Sequence, residues 1–192
     1  MTQTVEQYDA AIATGIKLFM RRGFINVSID DIIAATDLNR YSIYSAFGTK
    51  ADFFEVCVRR YCAIAVNSLL RLVSDESLSP KDAACANLYA AAEEMCEIGA
   101  GCLVSEYITE MKELTPELAD FCFEYYKKKE EILKGFFARV KQAGAISNDI
   151  DADQVAAAFM IFKFGLSNEV KRSTDIKALK LKIDAFISAM FR

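Results

Sequence analysis

Arg40, Tyr41, Ser42, Tyr44 and Ser45 stand within six residues of one another, and Lys50 follows shortly after. A guanidinium, two phenols, two hydroxyls and an ammonium suit phosphate oxygens and the base edges of a DNA major groove. The rest of the chain carries little that could do covalent chemistry. Histidine is absent, which removes the commonest general base and the commonest metal ligand. Cys57, Cys62, Cys85, Cys96, Cys102 and Cys122 contain no CxxC, so a structural zinc site is not expected. There is no glycine-rich phosphate loop and no nucleophile elbow. No catalytic residue, metal or cofactor is therefore assigned, and an enzyme is not expected.

The elements that must position the polar cluster are readable on either side of it. Ser28 can cap a helix, with Asp31 three residues on in the place a capping box reserves for Glu. Ile29, Ile32 and Ile33 then form an apolar face at helical spacing. Thr36, Asp37 and Leu38 make a turn, Asn39 caps a second helix, and Leu38 can act as a hydrophobic staple. Ile43 and Phe47, four apart, are the buried rear of that second helix, which leaves Arg40, Tyr41, Ser42, Tyr44 and Ser45 outward. Gly48 breaks it. Ahead of this pair, Tyr8, Ile12, Ile16 and Phe19 predict a core-facing helix over about 3–22, ended by Gly23.

From Ala13 to Thr36 the chain reads AxxxxLFxxxGFxxVSIDDIIAAT, and from Ile43 to Phe54 it reads IYSAFGTKADFF. In these two runs it resembles the DNA-binding domain of the TetR/AcrR family of bacterial transcriptional repressors, over roughly 3–54. The resemblance implies an all-α protein of about nine helices. Residues 1–49 would form a three-helix helix-turn-helix domain, and 50–192 a ligand-binding and dimerisation domain. It implies a homodimer on palindromic double-stranded operator DNA, released by a small-molecule inducer. Position by position, Ser28, Tyr44 and Lys50 resemble the family's phosphate-contacting residues, and Arg40, Tyr41, Ser42 and Ser45 its base-reading set. Asp37 departs from the usual glycine of the turn, and its tolerance of a left-handed conformation would preserve that turn. Tyr41 replaces a small residue, and Ser45 and Ala46 replace the more usual His and Tyr. These departures leave open a ligand-binding helical protein that does not bind DNA.

Charge and composition bound the remainder. Net charge is −4. Residues 1–60 hold seven Lys/Arg and seven Asp/Glu, so the excess of acid lies wholly in 61–192. A neutral module predicts modest non-specific DNA binding. A hydrophobic fraction of 53% leaves apolar surface for a partner. No apolar run is long enough for a membrane span and none reads as a signal peptide, so a cytoplasmic protein with free thiols is expected. Long helices are expected over about 50–73, 81–98, 103–114, 117–143, 153–172 and 174–191, with the loop SDESLSP after the first of them. The run Lys127-Lys128-Lys129-Glu130-Glu131 reads as a solvated face. The resemblance places an inducer among the central helices, with Met95, Cys102, Tyr107, Met111, Phe121 and Tyr125 as candidate lining. A similar Gly-Cys-Leu to that at 101–103 is carried by a subgroup of the family, in one repressor of which a cysteine here senses electrophiles or oxidants, so the resemblance makes Cys102 an alternative switch. The last two helices pair with their twins in the family, and their apolar Phe159, Met160, Phe162, Leu166, Ile183, Phe186 and Ile187 are the candidate dimer interface.

Overall fold

The computed structural model describes residues 4–105, 115–147 and 149–191. Every regular element among them is a helix. Eight are delimited: α1 (Val5–Arg22), α2 (Ile29–Ala35), α3 (Arg40–Phe47), α4 (Lys50–Val73), α5 (Pro80–Ile98), α6 (Pro116–Gln142), α7 (Ala152–Arg172) and α8 (Ile176–Met190). Residues 103–105 are also helical. The fold is all-α with an amino-terminal helix-turn-helix, as the sequence implies.

The helix ends follow their capping residues. Thr4 caps α1 in a full capping box with Gln7, and Gly23 stops it at φ 73°. Ser79 caps α5 with Pro80 in its first turn. Gly99 closes α5 in a left-handed conformation, where the Gly99 and Ala100 amides take up the last free carbonyls. Asp151 and Asp175 cap α7 and α8. One turn differs from expectation. No described non-glycine residue has positive φ, so Asp37 makes its turn without the left-handed conformation and needs no glycine-like freedom.

The contacts divide the chain into two compact units, Met1–Ile64 with Gly101–Cys122, and Ala65–Ala100 with Phe123–Arg192. The first is built round an aromatic core. Phe19, Phe53 and Phe54 are fully buried. Phe19 and Phe54 meet edge to face at 4.8 Å, Phe24 packs on Phe54 at 5.0 Å and Phe47 on Phe53 at 4.9 Å. These rings join α1 and the carboxy-terminal end of α3 to the start of α4. Gly15 lets α1 come close: a Cβ there would lie 2.7 Å from the Phe53 ring and 2.9 Å from Cys57 Sγ.

In the second unit α5 packs on both α7 and α8. This overturns part of the expected dimer surface. Phe159, Met160, Leu166, Ile183 and Ile187 are buried by the chain's own helices. Phe162 and Phe186 are half-buried and stack on each other at 4.0 Å. The exposed large apolar residues of the same helices are Ile161, 70% exposed, and Leu181, 71% exposed. The charge run on α6 also differs. Lys129 is buried, with its ammonium 3.3 Å from the Tyr125 hydroxyl, whereas Lys127 and Lys128 are exposed as expected.

Candidate nucleic-acid interface

Helix α3 is short enough that its caps decide its position. Asn39 Oδ1 accepts from the Ser42 amide at 2.9 Å. At the other end the Gly48 amide donates to the Tyr44 carbonyl at 3.0 Å, and Gly48 adopts φ 84°. A side chain at Gly48 would also meet the Asp52 carboxylate at 2.6 Å, so this break is reserved for glycine. Next in the chain, the Thr49 amide and hydroxyl both donate to Asp52 Oδ2 at 2.7 Å, which starts α4 and holds the Asp52 carboxyl below its usual range. Ile43 is fully buried and holds the rear of α3 to the core, a burial worth about 2 kcal/mol.

The outward face is that of Arg40, Tyr41, Tyr44 and Ser45. Tyr41 is 81% and Tyr44 47% exposed, and Ser45 and Ala46 are exposed beside them. Ser42 is a correction: it turns inward and is only 9% exposed. It lies next to the fully buried Ile43 in the first turn of α3, and its small side chain is accommodated in the interior. It is not available to read bases in this arrangement.

The cations around α3 are matched. Arg40 Nη2 bonds Asp30 Oδ1 across the turn. Arg22 Nη1 bonds Asp31 Oδ1 at 2.7 Å, and its Nη2 donates to the Asn26 carbonyl at 2.8 Å. Asp31 also accepts from the Ser28 amide at 2.7 Å and the Ser28 hydroxyl at 2.5 Å. Those three donors hold the Asp31 carboxyl far below its ordinary value, the Ser28 hydroxyl first among them. The Ser28 hydroxyl also accepts from the Asp31 amide at 3.1 Å, so it is engaged in the cap. Lys50 departs most from expectation. Its ammonium donates to the Phe24 carbonyl at 3.0 Å and the Val27 carbonyl at 2.8 Å, and stands 4.2 Å from the Phe24 ring centre. It braces the α1–α2 loop. Asp31 is legible in the sequence as the capping acid of α2, but its pairing with Arg22 and that of Asp30 with Arg40 are not. An acid paired with an arginine ten residues away leaves no periodic signal.

The residues expected to line an inducer site fall in both compact units. Met95 and Tyr125 are buried in the second unit, and Cys102 and Phe121 are half-buried in the first. Tyr107 and Met111 lie outside the described residues. Phe121 sits under the Arg59 guanidinium at 4.3 Å. Burial pushes the neighbouring Cys122 thiol up to about 11; Arg59 opposes that shift and Cys102 adds to it. A cleft of about 450 Å³ within the second unit is lined by other residues, among them Val73, Leu78, Pro80, Phe136, Arg139 and Val140. No group of His, Cys, Asp or Glu among the described residues could hold a metal ion. No helix among them is long and apolar enough to cross a membrane.

Residues 11–57, which span α1 to the first turns of α4, match the family model of bacterial regulatory proteins, tetR family. The chain is 26% identical over 156 residues to the transcriptional regulator AcuR of Cereibacter sphaeroides, covering 80% of this chain and 71% of that one. It is 28% identical over 133 residues to the HTH-type transcriptional repressor BdcR of Escherichia coli, covering 68% and 66%. Its fold matches that of CifR, a TetR family transcriptional regulator solved with cysteines replaced and in complex with 26-base-pair operator DNA. There the TM-score is 0.79 at 21% identity, covering 98% of this chain and 99% of that one.

Proposed function

Because the chain belongs to the TetR family of bacterial regulatory proteins, we propose that it is a repressor that binds palindromic operator DNA as a homodimer and leaves it when a small molecule binds the carboxy-terminal half. The observation that carries this reading is α3. It is a helix capped at both ends and anchored by Ile43, and it faces outward with Arg40, Tyr41, Tyr44 and Ser45. A helix presenting donors, acceptors and aromatic edges over a rigid rear fits a major groove. Residues 1–49 read DNA in this scheme, and 50–192 carry the ligand and the dimer contact. One eight-residue helix makes too few contacts for a specific site, and a two-fold dimer doubles them.

The dimer contact is assigned to the outward faces of α7 and α8, with Ala158, Ile161 and Gly165 on one and Ala178, Leu181 and Ala185 on the other. All six are exposed. Helix α4 has residues in both compact units, and it is the element through which an inducer would reach α3. By linkage an inducer that releases DNA binds the DNA-free form more tightly, and DNA weakens the inducer by the same factor.

Selection of random duplexes on the purified protein tests the reading. One palindrome should be enriched, and it should be lost or relaxed with Arg40→Ala and Tyr41→Ala. Failure to enrich any sequence at low salt would leave a helical ligand-binding protein.

A further inference from the structure

We propose that Asp30 is a specificity-determining residue of the DNA-reading surface, acting by holding the guanidinium of Arg40 for base edges and away from phosphates. The inference rests on the DNA-binding reading above. Helix α2 opens with two adjacent acids, and the structure gives them different work. Asp31 closes the capping box with Ser28 and takes Arg22. Asp30 is not needed for that cap. Its carboxylate is 75% exposed and meets Arg40, the first residue of α3.

The contact uses one nitrogen, Arg40 Nη2, on one oxygen, Asp30 Oδ1. A guanidinium has five N–H donors in a fixed plane. Tying one of them leaves enough for the paired O6 and N7 acceptors of a guanine. It also fixes the plane before DNA arrives, so less freedom is lost on binding. The charge effect runs the same way. An unmatched arginine at the start of α3 would add to the attraction for any phosphate. With Asp30 beside it the pair is neutral, and a phosphate approaching Arg40 meets a carboxylate as well. An exposed pair of this kind adds little to fold stability, so its presence is not explained by folding.

The test uses the full chain, a selected operator and an unrelated duplex of equal length. The variants are Asp30→Asn, Arg40→Ala and the double substitution, each checked for an unchanged thermal midpoint. Asp30→Asn is expected to bind the unrelated duplex about tenfold tighter, with a log–log salt slope steeper by nearly one per subunit. The specificity ratio should fall about tenfold, and selection should show relaxed preference at one base pair in each half-site. With Arg40→Ala already in place, Asp30→Asn should leave the selected sequence unchanged. Two results overturn the proposal. One is an unchanged specificity ratio and base preference in Asp30→Asn. The other is an equal effect of Asp30→Asn with and without Arg40, which would reduce Asp30 to a general repulsive charge. A wild-type protein that enriches no sequence defeats the DNA-binding reading itself, and that is seen before any variant is compared.

Discussion

Lys50 Nζ lies 2.8 Å from the Val27 carbonyl oxygen and 3.0 Å from that of Phe24, so the first residue of α4 is tied to the loop ahead of α2. This separates two roles that the sequence merges. A lysine that contacts phosphate shows itself in the salt dependence of DNA binding; a lysine that braces a loop shows itself in stability. Lys50→Met removes both bonds while keeping the apolar stem. It should lower unfolding stability by about 1–2 kcal/mol, toward the low end for hydrogen bonds to a charged group because the site is only part-buried. The salt slope for operator binding should change by much less than the ~0.9 that a lost phosphate contact gives. Denaturant titration and binding at several salt concentrations check both. An unchanged stability with a full drop in slope would return Lys50 to the phosphate-contacting set.

Gly15 makes a second test of how α4 is held. Alanine is the better helix former by about 1 kcal/mol, so an exposed glycine of α1 would gain from the change. At Gly15 the new Cβ would stand 2.7 Å from the Phe53 ring. Phe53 and Cys57 are fully buried and have no room to retreat. Overpacking of this kind costs about 1–3 kcal/mol, so the clash outweighs the propensity. Gly15→Ala should lower the midpoint of thermal unfolding, and a raised midpoint would show that the ring shifts freely.

The Asp31 cluster fixes the acid limb of stability. Its carboxyl is depressed well below the ordinary 3.8 by the Ser28 hydroxyl and amide and by Arg22. A depressed acid contributes stability that is present above its unfolded pKa and is lost as pH falls through its folded pKa. Asp52, held by Thr49, and Glu169, held by Lys182, are depressed in the same direction. Stability should therefore be flat above about pH 5 with respect to these groups and fall below it. Asp31→Asn should be less stable than the wild type at pH 7, with the difference shrinking as the pH falls below 4. A difference that stays constant across that range would remove the ionised cluster as its cause.

What the sequence disclosed and what it hid divide along physical lines. Capping is local chemistry, so Ser28, Asn39 and Gly23 can be placed from the chain alone, and each stands where its type requires. The inward turn of Ser42 is not legible, because a small hydroxyl beside Ile43 suits either side of a helix and only tertiary packing decides it. Lys129 was legible in principle. It falls on the buried stripe of Leu118, Cys122, Tyr125, Leu133, Phe136 and Val140, and the surrounding charge run masked that period. Arg40–Asp30 and Lys50–Val27 join residues 10 and 23 apart, which no local pattern reports. Five of the seven apolar residues expected to face a partner, Phe159, Met160, Leu166, Ile183 and Ile187, are buried within the chain itself, and the apolar stripe of one helix does not tell its own neighbours from a second copy.

The burial of Phe159 and Ile183 within the chain gives the most direct test of the assembly. If a second copy covers the outward faces of α7 and α8, its contacts are with Ile161 and Leu181 and not with Phe159 or Ile183. Each exposed aliphatic side chain gains about 1.5–3 kcal/mol on full burial, and a two-fold interface counts each change twice. Ile161→Glu and Leu181→Glu should leave the far-ultraviolet spectrum and cooperative unfolding of the chain intact while shifting sedimentation from dimer to monomer at micromolar concentration. Phe159→Ala should do the reverse: a cavity where Phe159 meets Phe137 of α6 and Phe186 of α8 costs about 3–5 kcal/mol of fold stability, with no separate dissociation step before unfolding. A protein that remains dimeric with both glutamates in place assembles through another surface, and operator recognition would then need a different spacing of its two α3 helices.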